Sequence, residues 1–148
     1  VAGPSDGGVS NMVEFGGELY FIAYSSPPGV GTQGTEVWMS DGSDSGTVMV
    51  HVPLLTDGSS ASSLTRVGDR LYFVDDLYDG SGEELISFTL EDGVTLAVDT
   101  RAGSQSSDPR NLIALGGKVF FVGNDGSSGG ELRYHWYNPG PIMSIPNA

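Results

Sequence analysis

Ten residues in the middle of the chain concentrate its clearest coordination chemistry. The run Asp75-Asp76-Leu77-Tyr78-Asp79-Gly80-Ser81-Gly82-Glu83-Glu84 sets five carboxylates around glycines that let the backbone fold inward. Asn124-Asp125-Gly126, running on to Glu131, is a shorter version. Calcium is held by roughly six to eight carboxylate and carbonyl oxygens, so Asp75, Asp76, Asp79, Glu83, Asn124 and Asp125 are candidate calcium ligands. Neither loop has EF-hand spacing. The same side chains serve equally well in Asx-type turns on a solvated acidic rim. No other cofactor is indicated.

Catalytic arrangements find less support. Gly126-Ser127-Ser128-Gly129-Gly130 formally fits G-x-S-x-G, but a nucleophile elbow needs a strand-to-helix turn and a histidine base. This segment lies between two strand patterns, and His51 and His135 are the only histidines. Neither sits in zinc-ligand spacing. Glu36, Glu84 and Glu131 recur at one point of three similar segments, Glu36-Val37-Trp38, Glu84-Leu85-Ile86 and Glu131-Leu132-Arg133. Glycoside hydrolysis needs two carboxylates across one cleft, whereas repeat-equivalent glutamates face different units. They read as structural anchors that accept backbone or hydroxyl hydrogen bonds and fix the loop entering each third strand. No enzyme is expected.

Aromatic side chains are the other candidates. Trp38 and the cluster Arg133-Tyr134-His135-Trp136-Tyr137 could pack in a core, dock a neighbouring subunit or stack on a sugar. Charge narrows the partners: 19 acidic residues face 6 basic ones, a net of −13, with Lys118 the only lysine. Such a chain lacks the cations that bind nucleic acid through counterion release, and an anionic membrane repels it. No apolar run approaches the roughly 20 residues of a membrane-spanning helix. There is no cysteine, so disulfides and thiolate metal sites are excluded.

The elements that position these residues come from a threefold repeat. Residues 12–22, 64–74 and 112–122 align without a gap: an apolar run, a glycine-led turn, then Leu19-Tyr20-Phe21-Ile22, Leu71-Tyr72-Phe73-Val74 or Val119-Phe120-Phe121-Val122. The turn glycines Gly16, Gly68 and Gly116 are 52 and 48 residues apart, close to the roughly 40–50 residues of a propeller blade. Glycine at these turns supplies the positive φ of a tight hairpin. The second strand of each unit is apolar throughout, so it needs cover on both faces. A third strand starts at the recurrent glutamate. A fourth is expected at Val48–Val52, Val94–Val98 and Pro141–Ile145. No sustained helical stripe occurs.

The first unit resembles the bacterial repeat named for its Glu-Leu-Trp-x-x-Asp-Gly-Thr core. Glu36-Val37-Trp38-Met39-Ser40-Asp41-Gly42-Ser43 carries the resemblance, with Ile86 and Arg133 replacing the Trp in the later units. The resemblance implies large secreted or surface-displayed bacterial proteins with propeller-like repeats, and no defined activity or ligand. The expectation is therefore an all-β, β-propeller-like fold of three four-stranded antiparallel blades, a β-sandwich or β-solenoid being the alternative. The chain reads as one repeat domain over 1–148, with units near 8–53, 63–99 and 111–146 joined by Gly/Ser-rich connectors. Three blades are too few to close a ring, so terminal faces or edges are expected to stay raw. An extracellular structural or adhesive protein that self-associates as a homo-oligomer or polymer is the expected function. A lectin-like module binding glycans, with or without calcium, is the alternative.

Overall fold

Three glycine turns set the architecture. Gly16, Gly68 and Gly116 adopt φ of 63°, 62° and 58°, a left-handed conformation that glycine enters without steric cost. Each reverses the chain between a first and a second strand. The computed structural model describes residues 8–25, 34–50, 60–76, 81–136 and 143–144. These form twelve strands and, among the described residues, no helix.

The strands group into three antiparallel four-stranded sheets, each in simple sequence order. The first sheet contains β1 (Ser10–Phe15), β2 (Glu18–Ser25), β3 (Gly34–Ser40) and β4 (Val48–Met49). The second contains β5 (Ser62–Val67), β6 (Arg70–Asp76), β7 (Glu83–Thr89) and β8 (Gly93–Val98). The third contains β9 (Arg110–Leu115), β10 (Lys118–Asn124), β11 (Gly130–Trp136) and β12 (Met143–Ser144). No sheet closes on itself. β4 is shorter than the sequence pattern suggests, although Val50 N–H still donates to Val37 C=O at 2.8 Å. The rest of the expected first and third fourth strands lies outside the described residues, as do His51, Asp79 and Tyr137.

The sheets stack face to face, with β5 beside both β1 and β9. Alternation along each strand sends successive side chains to opposite faces, which gives every sheet a leading face toward the next unit and a trailing face toward the previous one. Phe15, Tyr20, Ile22 and Val37 on the leading face of the first sheet pack against Leu64, Leu71, Phe73 and Ile86 on the trailing face of the second. Val67, Tyr72 and Leu85 on the leading face of the second then pack against Val119 and Phe121 of the third. Repeat-equivalent residues play the same part at both contacts. The second sheet is thus covered on both sides, and β6 is buried almost end to end.

One shared irregularity confirms that the units are structural copies. Between Ser10 and Val13, Ser62 and Thr65, and Arg110 and Ile113, the first strand carries one more residue than its partner. At each of these bulges the second residue of the strand is left-handed: Asn11, Ser63 and Asn111 have φ of 51°, 60° and 57°. Asparagine tolerates that region best among residues with a side chain, and serine does so less well. Replacing Ser63 with Asn is expected to stabilise the fold by a few tenths to about 1 kcal/mol, and replacing it with Val to cost roughly 1–2 kcal/mol. Urea titration checks this; equal midpoints for the three proteins would mean the bulge carries no backbone strain.

Candidate binding surface

In β10 the burial alternates, with Val119, Phe121 and Gly123 buried and Lys118, Phe120 and Val122 half-buried. The two-sided burial expected of Phe120 and Phe121 therefore holds for Phe121 alone. Phe120 lies on the leading face of the third sheet, which no described element covers. Cross-strand pairing brings Phe120 opposite Tyr134, Val122 opposite Leu132 and Lys118 opposite Trp136 on this face. Ile113 and Leu115 of β9 complete it, opposite Phe120 and Lys118.

The face is apolar by design of the repeat. Leu115 occupies the position of Phe15 and Val67, yet it is 67 % exposed where those are 3 % and 9 %. Ile113, Leu132 and Trp136 are likewise exposed large apolar side chains. The Lys118 ammonium sits 4.8 Å from the Tyr134 ring centroid and 5.2 Å from that of Trp136, within the range of cation–π attraction. Tyr134 also leans on Phe120, with centroids 5.6 Å apart. A continuous apolar sheet face, with Lys118 folded onto its rings and Arg110 at its far end opposite Val122, marks an interaction surface.

The interface cluster read from the sequence is split by strand alternation. Tyr134 and Trp136 face outward as an interface requires, whereas Arg133 and His135 face the second sheet. Arg133 is buried and donates to Gly123 C=O, Asp125 at 2.9 Å and Glu131 at 3.3 Å. Its Asp125 partner, also held by the Ser127 hydroxyl and N–H, is kept well below the usual carboxylate range. Trp38 is buried with Phe21 and Ala23 on the trailing side of the first sheet. The sequence reading missed Ile113, Leu115 and Lys118. Period-two alternation counted outward from Glu131 and from the Gly116 turn was the signal that could have found them.

The carboxylates serve the connectors. Glu84 is fully buried and accepts from Ser107 N–H at 2.9 Å, the Ser107 hydroxyl, and Thr100 N–H at 3.2 Å. It thereby pins the connector between the second and third sheets, not the loop entering the third strand. Asp75 accepts from the N–H groups of Ser60 and Asp76, and Glu83 from the Ser60 hydroxyl, which fixes the preceding connector. Asn124 caps Gly126 N–H, and Glu131 accepts from the Ser128 hydroxyl. Glu36 is buried. Among the described residues no three His, Asp or Glu side chains converge as a metal site; Asp76 lies at the half-buried end of β6. No family model, curated protein or solved structure matches this chain. The surface has to be read from its own chemistry.

Glu84→Ala leaves the Ser107 hydroxyl and Thr100 N–H without their acceptor, and a cost of about 1–3 kcal/mol is expected in urea titration; an unchanged midpoint would contradict the anchoring role. The contact between the second and third sheets also carries a proton-sensitive group. His135 Nδ1 lies 3.2 Å from the Tyr72 hydroxyl. Burial, and secondarily the Arg70 guanidinium, hold the ring below its ordinary value of 6.5. The unfolded chain therefore binds this proton more readily, so the stability is present above pH 6.5 and lost as pH falls through the folded value. Burial raises Glu84, which acts oppositely: its contribution is present below 4.5 and lost as pH rises through its folded value. Comparing melting temperature against pH for the wild type and His135→Gln cancels the glutamate. The wild type is expected to lose stability below pH 6.5 relative to the variant, and parallel curves would contradict the assignment.

Proposed function

We propose that the chain is a structural repeat module of an extracellular or surface-displayed assembly, working by non-covalent association and not by catalysis, with its three sheets acting as blades of a propeller-like array. One observation carries this reading. The leading face of the third sheet keeps the apolar pattern that the first two sheets bury, and Ile113, Leu115, Leu132 and Trp136 are exposed there. Removing such a face from water stabilises association at about 25 cal/mol per Å² of apolar surface, before the entropic cost of joining two bodies. The resemblance of Glu36–Ser43 to the bacterial repeat supports the same setting.

The turn that carries the resemblance has a physical logic. The Asp41 carboxylate accepts from Ser43 N–H at 2.8 Å and from the Ser43 hydroxyl at 2.7 Å. It lies 1.9 Å from where a side chain at Gly46 would begin, so any larger residue there displaces the carboxylate from Ser43. The motif builds a rigid turn and supplies no reactive group.

Sugar binding is the second reading, because Tyr134 and Trp136 offer aromatic surface on the same face. The Lys118 ammonium already lies over both rings, which favours the assembly reading over a stacked sugar. Sedimentation velocity across a wide concentration range tests the choice. Reversible association of the wild type is expected, weakened at least tenfold by Leu132→Glu. A monomer at every concentration, together with saturable binding on a glycan array, would replace the first reading with the second.

A further inference from the structure

The exposed residues at the two ends of the repeat row are counterparts of a pair that is buried inside the chain. Between the first and second sheets, Phe15 on a leading face shares one core with Leu64 and Leu71 on a trailing face. Between the second and third, Val67 shares a core with Val119, and Leu112 packs against it. The unsatisfied leading position is Leu115, with Ile113 beside it. The trailing positions of the first sheet that match Leu64 and Leu71 are Met12 and Leu19. They are 65 % and 41 % exposed, where Leu64 and Leu71 are 5 % and 0 %. The chain thus displays the leading half of its own internal contact at one end and the Met12–Leu19 part of the trailing half at the other.

Charge follows the same register. Lys118 occupies the leading-face position of Arg70, which in the second sheet lies near His135 on the trailing face of the third. The repeat equivalent of His135 in the first sheet is Ser40. Ser40 lines a cavity of about 340 Å³ together with Glu14, Glu18, Leu19 and Asp41. Glu14 in this groove is already paired with Arg66, and Glu18 stands at the leading-face position of Arg70 and Lys118. Carrying the internal offset across to a second molecule therefore sets the only lysine of the chain against the Asp41 carboxylate beside Leu19. In a chain of net charge −13, that contact places opposite charges together where most surface pairings would oppose like charges.

We infer that the leading face of the third sheet is covered by the trailing face of the first sheet of a second copy, in a head-to-tail contact. This rests on the assembly reading above and specifies its partner surface. The contact is heterologous, so successive copies either close into a ring or run on as a filament. Phe21, Ala23 and Trp38 are already buried on the trailing face. The open area is the part bearing Met12 and Leu19, and it receives Ile113, Leu115 and Lys118.

Leu115→Asp and Leu19→Asp each spoil one half of the contact at an exposed position. Each variant alone is expected to stay monomeric in sedimentation velocity at concentrations where the wild type associates. Mixed in equal amounts, the intact first sheet of one meets the intact third sheet of the other, and a 1:1 dimer is expected. Ile113→Asp with Met12→Asp repeats the test at neighbouring sites, and thermal melting by circular dichroism verifies that all four variants fold. If the wild type associates and Leu19→Asp does so equally well, the head-to-tail partner is wrong while the assembly reading survives. If both variants lose association and their mixture stays monomeric, the complementarity is refuted in the same way. A wild type that is monomeric throughout overturns both.

Discussion

Burial of a second strand that is apolar on both faces is the constraint from which the rest of this molecule follows. A strand with large side chains on both faces cannot be satisfied by its own sheet, because hydrogen bonding within the sheet covers edges and not faces. It needs another sheet on either side. β6 meets that demand fully, and Tyr72, Phe73, Leu71 and Leu85 are almost completely shielded. The third sheet achieves it against the second sheet alone, whereas in the first sheet Phe21, Ala23 and Trp38 are buried on the side away from the second sheet as well. Everything else serves this stacking: glycine turns set the hairpins, repeated bulges shape the inner strands, and buried carboxylates tie the connectors that carry the chain from one sheet to the next.

The polar groups divide accordingly. Glu84, Asp75 and Arg133 are costly to bury, and each is met by several hydrogen bonds or an ion pair. Glu84 and Asp75 hold chain crossings where a slack connector would let one sheet slide on its neighbour, and Arg133 holds the loop between β10 and β11. His135 stands within the contact between the second and third sheets, against Tyr72 with ring centroids 5.7 Å apart, so proton uptake there acts on sheet stacking itself. By contrast, the open face bears Lys118, folded onto the aromatic rings beside it, and at its far end Arg110, paired with Asp108.

Much of the architecture was legible in the residues. The glycine-split aromatic runs gave the hairpins, their spacing gave the number of units, and the absence of a helical stripe gave the class. The site was only partly legible. Composition drew attention to the dense cluster at 133–137, but alternation divides that cluster between two faces, and a compositional reading cannot see which side has a neighbour. Ile113 and Leu115 look like ordinary core residues, because their equivalents Val13, Phe15 and Val67 are packed; their exposure follows from their place in the last sheet. The bulges at Asn11, Ser63 and Asn111 were hidden for another reason. Asn and Ser in a strand start carry no distinctive pattern until the backbone is seen.

Whether the third sheet finds its missing cover can be read from one side chain. The chain has two tryptophans, and Trp38→Phe leaves Trp136, on the open face, as the sole indole reporter. Emission from Trp136 is expected to move to shorter wavelength, and its quenching by acrylamide to fall, as protein concentration rises. Emission that stays at the wavelength of a wet indole, equally quenched from the most dilute to the most concentrated sample, would contradict the claim that this face is built to be covered.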